Sequence, residues 1–217
     1  MFKPQARFIT TAMDLASCPT FSCHEFAVVG RSNVGKSSLI NALAQQKALA
    51  RISKTPGRTQ GINYFDFGPF LIADLPGYGY AAVSKAMQER WRRELSRYLA
   101  GRESLAGVLH LMDSRHPLQP NDLQMRAFLM EHEVPLVVVL TKIDELKQAD
   151  LARTAKRVAE ETSQDPILFS SRTGRGRKEL LKLLVAGPAA EETSLEGDDA
   201  DPEEAPLDGA DLDAPAD

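Results

Sequence analysis

No apolar run among the 217 residues approaches the roughly 20 that a membrane-spanning helix needs. Met1-Phe2-Lys3-Pro4-Gln5 also lacks the apolar core of a secretion signal, so the expectation is a soluble, cytoplasmic protein, monomeric and without membrane insertion. Cysteine is nearly missing. Cys18 and Cys23 stand in C-x4-C spacing with no second pair and no nearby histidine pair, which argues against a disulfide framework or a tetrahedral zinc site and for reduced thiols. Nor is there an internal repeat, which argues against a solenoid or propeller.

Lysine and arginine are absent from residues 187–217, a segment that holds twelve acidic side chains and hardly any bulky apolar ones. Such a segment cannot bury enough surface to offset its ordering entropy, and it reads as a disordered acidic tail. It is either a solubilising extension or an internal nucleic-acid mimic, the first being the simpler reading. The net charge of −4 therefore hides a basic body: residues 1–186 carry 26 basic against 18 acidic side chains. A hydrophobic fraction of 43% supports one core, placed at 25–186, with an N-terminal extension, 1–24, packing on it.

What the body does contain is a phosphate-binding pattern. Gly30-Arg31-Ser32-Asn33-Val34-Gly35-Lys36-Ser37-Ser38 matches G-x-x-x-x-G-K-[ST] and follows the strand-like Glu25-Phe26-Ala27-Val28-Val29. Gly30 and Gly35 let backbone N–H groups curl around a triphosphate without Cβ clashes. Lys36 can reach the terminal phosphates, Ser37 can offer a hydroxyl to magnesium, and the helix that follows adds the positive end of its dipole.

Strand-like runs alternate with helix-like ones from there on. Strands are expected over 26–30, 61–67, 70–74, 107–113, 135–140 and 167–169, and helices over 36–45, 85–101, 121–132, 144–161 and 175–186. The alternation predicts an α/β fold of three layers, with a mostly parallel six-stranded sheet, helices on both faces and ligands at the carboxyl ends of the strands. Only Gly68-Pro69 separates the second and third strands, which makes a hairpin and one antiparallel strand.

Three further motifs fall at predicted strand ends. Asp74-Leu75-Pro76-Gly77 can hold the magnesium shell through water while the Gly77 N–H faces a terminal phosphate. Thr141-Lys142-Ile143-Asp144 follows the 137–140 strand, and a carboxylate there accepts from both N1–H and the 2-amino group of guanine. Adenine offers no such pair, so Asp144 selects GTP over ATP. Lys142 would lie along the purine face. Past the last strand, Phe169-Ser170-Ser171-Arg172 supplies a small polar turn whose backbone can donate to the guanine carbonyl. Each motif alone has a bland alternative as a helix cap or turn, but their order outweighs it.

These words, together with Pro56-Gly57-Arg58-Thr59-Gln60, Tyr78-Gly79-Tyr80-Ala81 and Asp113-Ser114-Arg115-His116, closely resemble the EngB (YihA/YsxC) family of small bacterial GTPases, within the translation-factor-like class of P-loop GTPases. The resemblance covers roughly residues 5–186. It implies GTP and GDP as ligands, with Gly57 through Gly61 joining the nucleotide site and Thr59 completing magnesium coordination beside Ser37; Thr55 is the lesser candidate. It implies Lys36, Thr59 and Asn33 as the catalytic residues. Related enzymes use an Asn at the Asn33 position to hold potassium, whereas Tyr78 stands where Ras-like enzymes carry the water-orienting Gln. Arg31 and Arg58 are near enough to be weighed as an arginine finger. The resemblance also implies slow intrinsic turnover, a partner in the large ribosomal subunit precursor and its rRNA, and a requirement in cell division and septation. Basic side chains that could meet RNA phosphates are Arg90, Arg93 and Arg97 on one helix face, with Arg172, Arg175, Arg177 and Lys178. The rival reading is a scaffold for RNA or division proteins that nucleotide merely stabilises.

Overall fold

The run Phe26-Ala27-Val28-Val29 is apolar at every position, the pattern of a strand buried on both faces. In the computed structural model, which describes residues 5–51, 61–79 and 85–187, it forms the centre of a mixed sheet. The strands are β1 (Arg7–Ala12), β2 (His24–Gly30), β3 (Ile62–Asp66), β4 (Phe70–Asp74), β5 (Leu105–Asp113), β6 (Leu136–Thr141) and β7 (Ile167–Leu168). Their spatial order is β1-β3-β4-β2-β5-β6-β7, and β3 alone among them runs against the rest.

Six strands were expected and seven are present among the described residues, because β1 adds itself to the edge beside β3. Its sequence, Arg-Phe-Ile-Thr-Thr-Ala, is half polar and mostly exposed, as an edge strand allows, and so lacks the apolar run that marks the inner strands. Cross-strand partners fix its register: Arg7 pairs with Asp66 at 2.9 Å, and Phe8 meets Phe65 edge to face at 5.7 Å.

Five helices cover the sheet: α1 (Lys36–Ala44), α2 (Lys85–Gly101), α3 (Pro120–Met130), α4 (Gln148–Thr162) and α5 (Arg177–Ala186). Side-chain alternation sorts them into two layers. Val28, Leu109, Leu111 and Val139 pack against Leu39 and Leu43 of α1 and Leu180 and Leu184 of α5. Ala27, Val29 and Val108 face Leu95, Tyr98 and Leu99 of α2 and Phe128 and Leu129 of α3, while Met112, Val138 and Leu140 face Leu151 and Val158 of α4. The expected helix from residue 144 divides into a 3-10 turn, Ile143–Glu145, and α4, since Lys142 takes a left-handed conformation with φ 57° and the chain is extended at Leu146. The last helix begins at Arg177 rather than Arg175. Gly176 precedes it at φ 77°, and a Cβ there would come within 2.2 Å of the Leu168 carbonyl.

Arg177 is not the surface cation its sequence context suggested. It is buried, donating from Nε to the Ala42 carbonyl at 2.8 Å and from Nη2 to the Leu43 carbonyl at 3.0 Å, so it satisfies the orphan carbonyls that end α1. We predict that Arg177→Met, which keeps the stem and removes both donors, lowers stability by about 1–3 kcal/mol. Urea unfolding checks this against Lys178→Met, an exposed neighbour expected to change stability by no more than about 0.5 kcal/mol.

Candidate functional site

The carboxyl ends of β2, β4, β5 and β6 meet at one edge of the sheet, where the Gly30–Lys36 loop turns into α1. Gly30 has no room for a side chain: a Cβ would stand 2.7 Å from Val34 Cγ1 and 3.0 Å from the Leu111 carbonyl. Asn33 (φ 65°) and Gly35 (φ 112°) take left-handed conformations, which Asn tolerates better than most residues. No side chain caps the first turn of α1. The chain instead pins the loop from outside. Thr141 Oγ1 donates to the Val34 carbonyl at 2.7 Å, and Lys142 Nζ donates to the Asn33 carbonyl at 2.8 Å and the Asp113 carboxylate at 2.9 Å. Burial alone would raise the Asp113 carboxyl, but hydrogen bonds from Arg115 and Lys142 outweigh it and hold the group well below the usual carboxylate range. Asp113 belongs to the Asp113–His116 motif, and its clamp on Lys142 spans 29 residues of sequence, so no local signal marks it.

Asp74, at the end of β4, is 5% exposed, and its Oδ1 has no hydrogen-bond partner. Burial pushes its carboxyl up to about 6 even though Lys36 and the Asn63 side chain pull the other way. Lys36 shows the mirror effect, its ammonium lowered by burial and partly restored by Asp74. Gly77 lies against both phosphate-loop groups, since a Cβ on it would meet Lys36 Nζ at 3.0 Å and Ser32 N and Oγ at 3.2 Å. The orphaned buried carboxylate oxygen of Asp74 and the Ser37 hydroxyl in the first turn of α1 are both oxygen donors, the chemistry that suits a hard divalent cation keeping part of its water.

Just past the end of β6, Asp144 accepts from Ser170 Oγ at 2.5 Å and from Arg172 Nε at 2.7 Å. The Ser170 hydrogen bond is the main reason its carboxyl lies below the usual range. Arg172 is largely exposed, and an exposed ion pair of this kind is worth at most about 1 kcal/mol, so the arginine can be displaced from the carboxylate. Of the remaining predicted residues, Val34, Leu75, Ile143 and Phe169 turn their side chains into the core, which leaves their backbone for a ligand. Ser38 lies in the first turn of α1, Pro76 in the turn after β4, and Ser171 is exposed. Gly57, Arg58, Thr59 and Gln60 lie outside the described residues, as does the tail from residue 188; Gly61 abuts β1, with Ala12 O 2.5 Å from where its Cβ would be.

Two side chains point away from the groove. Tyr78 sends its hydroxyl to His110 Nε2 at 2.7 Å and Asp122 Oδ1 at 3.0 Å. Arg31, weighed as an arginine finger, binds Asp122 Oδ1 at 3.2 Å and the His116 carbonyl at 2.8 Å, so its guanidinium is spent on the α3 side.

Comparison with known proteins bears on family and fold. The sequence profile of a family described as "50S ribosome-binding GTPase" matches residues 25–142. A relative described as "Probable GTP-binding protein EngB" from Pelotomaculum thermopropionicum is 46% identical over 184 residues, covering 82% of this chain and 93% of its own. One of the same description from Haemophilus ducreyi is 48% identical over 157 residues, 72% of this chain and 75% of its own. Among solved structures, the crystal structure of a probable GTP-binding protein EngB superposes with a TM-score of 0.59 at 25% identity, covering 73% of this chain and 95% of that one. Era in complex with MgGDPNP and nucleotides 1506–1542 of 16S ribosomal RNA gives 0.63 at 21% identity, over 89% of this chain and 61% of that one, a likeness of fold.

The buried Asp74 has a measurable cost. Its folded-state value near 6 lies above the ordinary 3.8, so the ionised carboxylate destabilises the metal-free fold above pH 6, and the penalty fades as pH falls toward 4. Asp74→Asn is therefore expected to raise the stability of the nucleotide-free, chelator-treated protein by about 1–2 kcal/mol at pH 7.5 and by nothing near pH 4. Urea titrations at the two pH values read this out.

Proposed function

The chain belongs to the EngB family of GTP-binding proteins and is a GTPase by that membership, and on this premise we propose that it is a nucleotide-dependent switch in assembly of the large ribosomal subunit, required for normal cell division and septation. One observation carries the reading: Lys36, Ser32, Gly77 and the orphaned Asp74 carboxylate gather at the carboxyl ends of β2 and β4, and Asp144 and Ser170 meet past the ends of β6 and β7 on the same side of the sheet. A ribosomal partner is supported by the description of the matched family and by the basic face of α2, where Arg90, Arg93 and Arg97 are exposed while Leu95, Tyr98 and Leu99 are buried. We place the protein in the cytoplasm as a monomer, with 25–186 as the catalytic unit, 1–24 as an extension upon it and 187–217 as a solubilising tail.

In this reading the phosphate-loop amides and Lys36 bind the phosphates, Gly77 N–H meets the terminal one, and the backbone of Gly57 through Gly61 closes over them. Ser37 and Thr59 would hold magnesium, with Asp74 acting through water. When bound, the ion neutralises charge that develops on the phosphate oxygens. Asp144 accepts from guanine N1–H and the 2-amino group, displacing Arg172, while Lys142 lies along the purine and the Ser170-Ser171 turn donates to its carbonyl. Thr59 couples the preceding loop to the terminal phosphate.

Tyr78 cannot orient the attacking water as a Gln would, and its hydroxyl is engaged beneath α3. Turnover by the protein alone is accordingly slow and rises with a partner, and Asn33 can supplement charge stabilisation by holding potassium at the exposed lip of the loop.

Sedimentation with purified large-subunit precursor tests the switch. Pelleting should be stronger with a non-hydrolysable GTP analogue than with GDP and should weaken with salt; replacing Arg90, Arg93 and Arg97 by Gln should cut the slope of log K against log salt by roughly 2. Binding that ignores both nucleotide and salt removes the switch and the basic docking face together. Turnover in potassium against sodium buffer, with Asn33→Ala alongside, checks the ion: we expect a potassium advantage of roughly tenfold or more that Asn33→Ala abolishes, and equal rates in the two salts reject it.

A further inference from the structure

Tyr78 is tied to the phosphate loop by its backbone and to the opposite layer by its side chain. Ser32 N–H donates to the Tyr78 carbonyl at 3.1 Å, and Tyr78 N–H to the Gly30 carbonyl at 3.4 Å, so that Tyr78 pairs with Arg31 like the rung of a parallel ladder. The phenol reaches into a polar cluster between β5 and α3, where His110 and Asp122 are fully buried. Gly79, at φ 76°, packs so closely on the start of α3 that a Cβ would come within 2.8 Å of Asn121 Nδ2.

Counting protons fixes the cluster's state. Asp122 accepts from Arg31 Nε and the Tyr78 hydroxyl on Oδ1 and from Gln119 N–H on Oδ2, three donors that suit a carboxylate. The phenol's only proton is given to Asp122, so His110 must carry its proton on Nε2 and donate to the phenol oxygen. The remaining His110 Nδ1 is buried without a partner, which a neutral ring tolerates better than a charged one. Arg31, Tyr78, His110 and Asp122, from the phosphate loop, the turn after β4, β5 and α3, are thus joined in one hydrogen-bonded cluster.

This anchoring has a consequence in the groove. It holds the Tyr78 carbonyl on Ser32 N–H, one of the phosphate-loop amides, and holds Gly77 against Lys36 Nζ and Ser32. The third phosphate of a triphosphate needs room beyond the two that the loop and Lys36 already hold, on the side where Gly77 and the Tyr78 carbonyl approach Lys36 and Ser32. A diphosphate makes no such demand. Resting on the guanine-nucleotide reading above, we propose that the Tyr78–Asp122–Arg31 cluster is a latch that keeps the Asp74–Gly77 turn closed over the phosphate loop and so biases the site toward the diphosphate. Tyr78 and Asp122 are then positioning residues: they touch no nucleotide and act by setting how readily the turn lifts. The latch shifts the preference only by the difference between its closed and open states.

The test compares affinities of the wild type, Tyr78→Phe and Asp122→Asn for GDP and for a non-hydrolysable GTP analogue, by calorimetry with magnesium present. Loosening the latch should move the GDP-to-analogue preference toward the analogue by about 5- to 20-fold, with GDP affinity within about twofold of wild type. A change in general stability alone would move both ligands together or neither. Amide exchange supplies an arm that needs no variant: in the wild type, Ser32 and Tyr78 amides should be protected with GDP and exchange faster with the analogue. An unchanged preference in both variants, or equal protection of the two amides in both states, overturns the latch. Failure of the wild type to bind GDP at all would instead overturn the nucleotide reading on which it stands.

Discussion

The structure depends on a loop that cannot satisfy itself. Between Gly30 and Lys36 the chain passes through left-handed positions at Asn33 and Gly35 and enters α1 with no side chain to cap its first turn. Amides arranged this way stay in place only if the rest of the fold holds the loop open, because a free chain would turn them to its own carbonyls or to water. Two neighbours on β6 and just beyond it do that work. Thr141 and Lys142 donate to the loop carbonyls of Val34 and Asn33 and so hold the loop in place, while Ser32 N–H is taken by the Tyr78 carbonyl and Val34 N–H by the Arg31 carbonyl. Lys142 is itself steadied by Asp113, which Arg115 holds in turn. The anion site is thus the product of register between β2, β5 and β6, which sets the three strand ends side by side.

The same arrangement places two opposite charges where neither is comfortable. Burial lowers the Lys36 ammonium and raises the Asp74 carboxyl, and each is the other's main compensation. A fold built for its own stability would replace the pair with apolar groups or complete its hydrogen bonds, since buried ion pairs seldom repay their desolvation. Here Asp74 Oδ1 has neither remedy. Such unfinished pairs gather where a ligand supplies the missing charges, and a magnesium triphosphate supplies both kinds.

Legibility in the sequence followed distance along the chain. The phosphate loop, the Asp74–Gly77 turn and Asp144 could be read because each is a short segment whose residue types answer local backbone or ligand demands. The layers could be read from strands buried on both faces and helices with one apolar side. What escaped was either weakly patterned or long-range. β1 lies exposed at the sheet edge and is half polar, so periodicity gave it no voice. Arg177 looked like a surface cation because nothing nearby shows that the end of α1, some 134 residues back, needs its donors. The partners of Tyr78 lie 32 and 44 residues away, and Arg172 meets Asp144 across 28. From the motif, Tyr78 reads only as a lost glutamine.

That last case changes how the excess of positive charge is understood. The body has more basic than acidic side chains, which by itself suggests a diffuse attraction to nucleic acid. Several of the arginines, however, are committed to partners within the fold. Arg31 serves Asp122, Arg102 meets buried Glu25, Arg115 braces Asp113, and Arg177 closes α1. Subtracting them leaves an exposed row on α2, where Arg90, Arg93 and Arg97 stand opposite a packed face and Arg92 lies over the Phe128 ring, in addition to exposed cations on α4 and α5. That helix is the next regular element after the turn bearing Gly77 and Tyr78. In the proposed reading the turn that would meet a terminal phosphate precedes the proposed docking face along the chain, so a movement that frees Tyr78 from α3 would have a short path to that face.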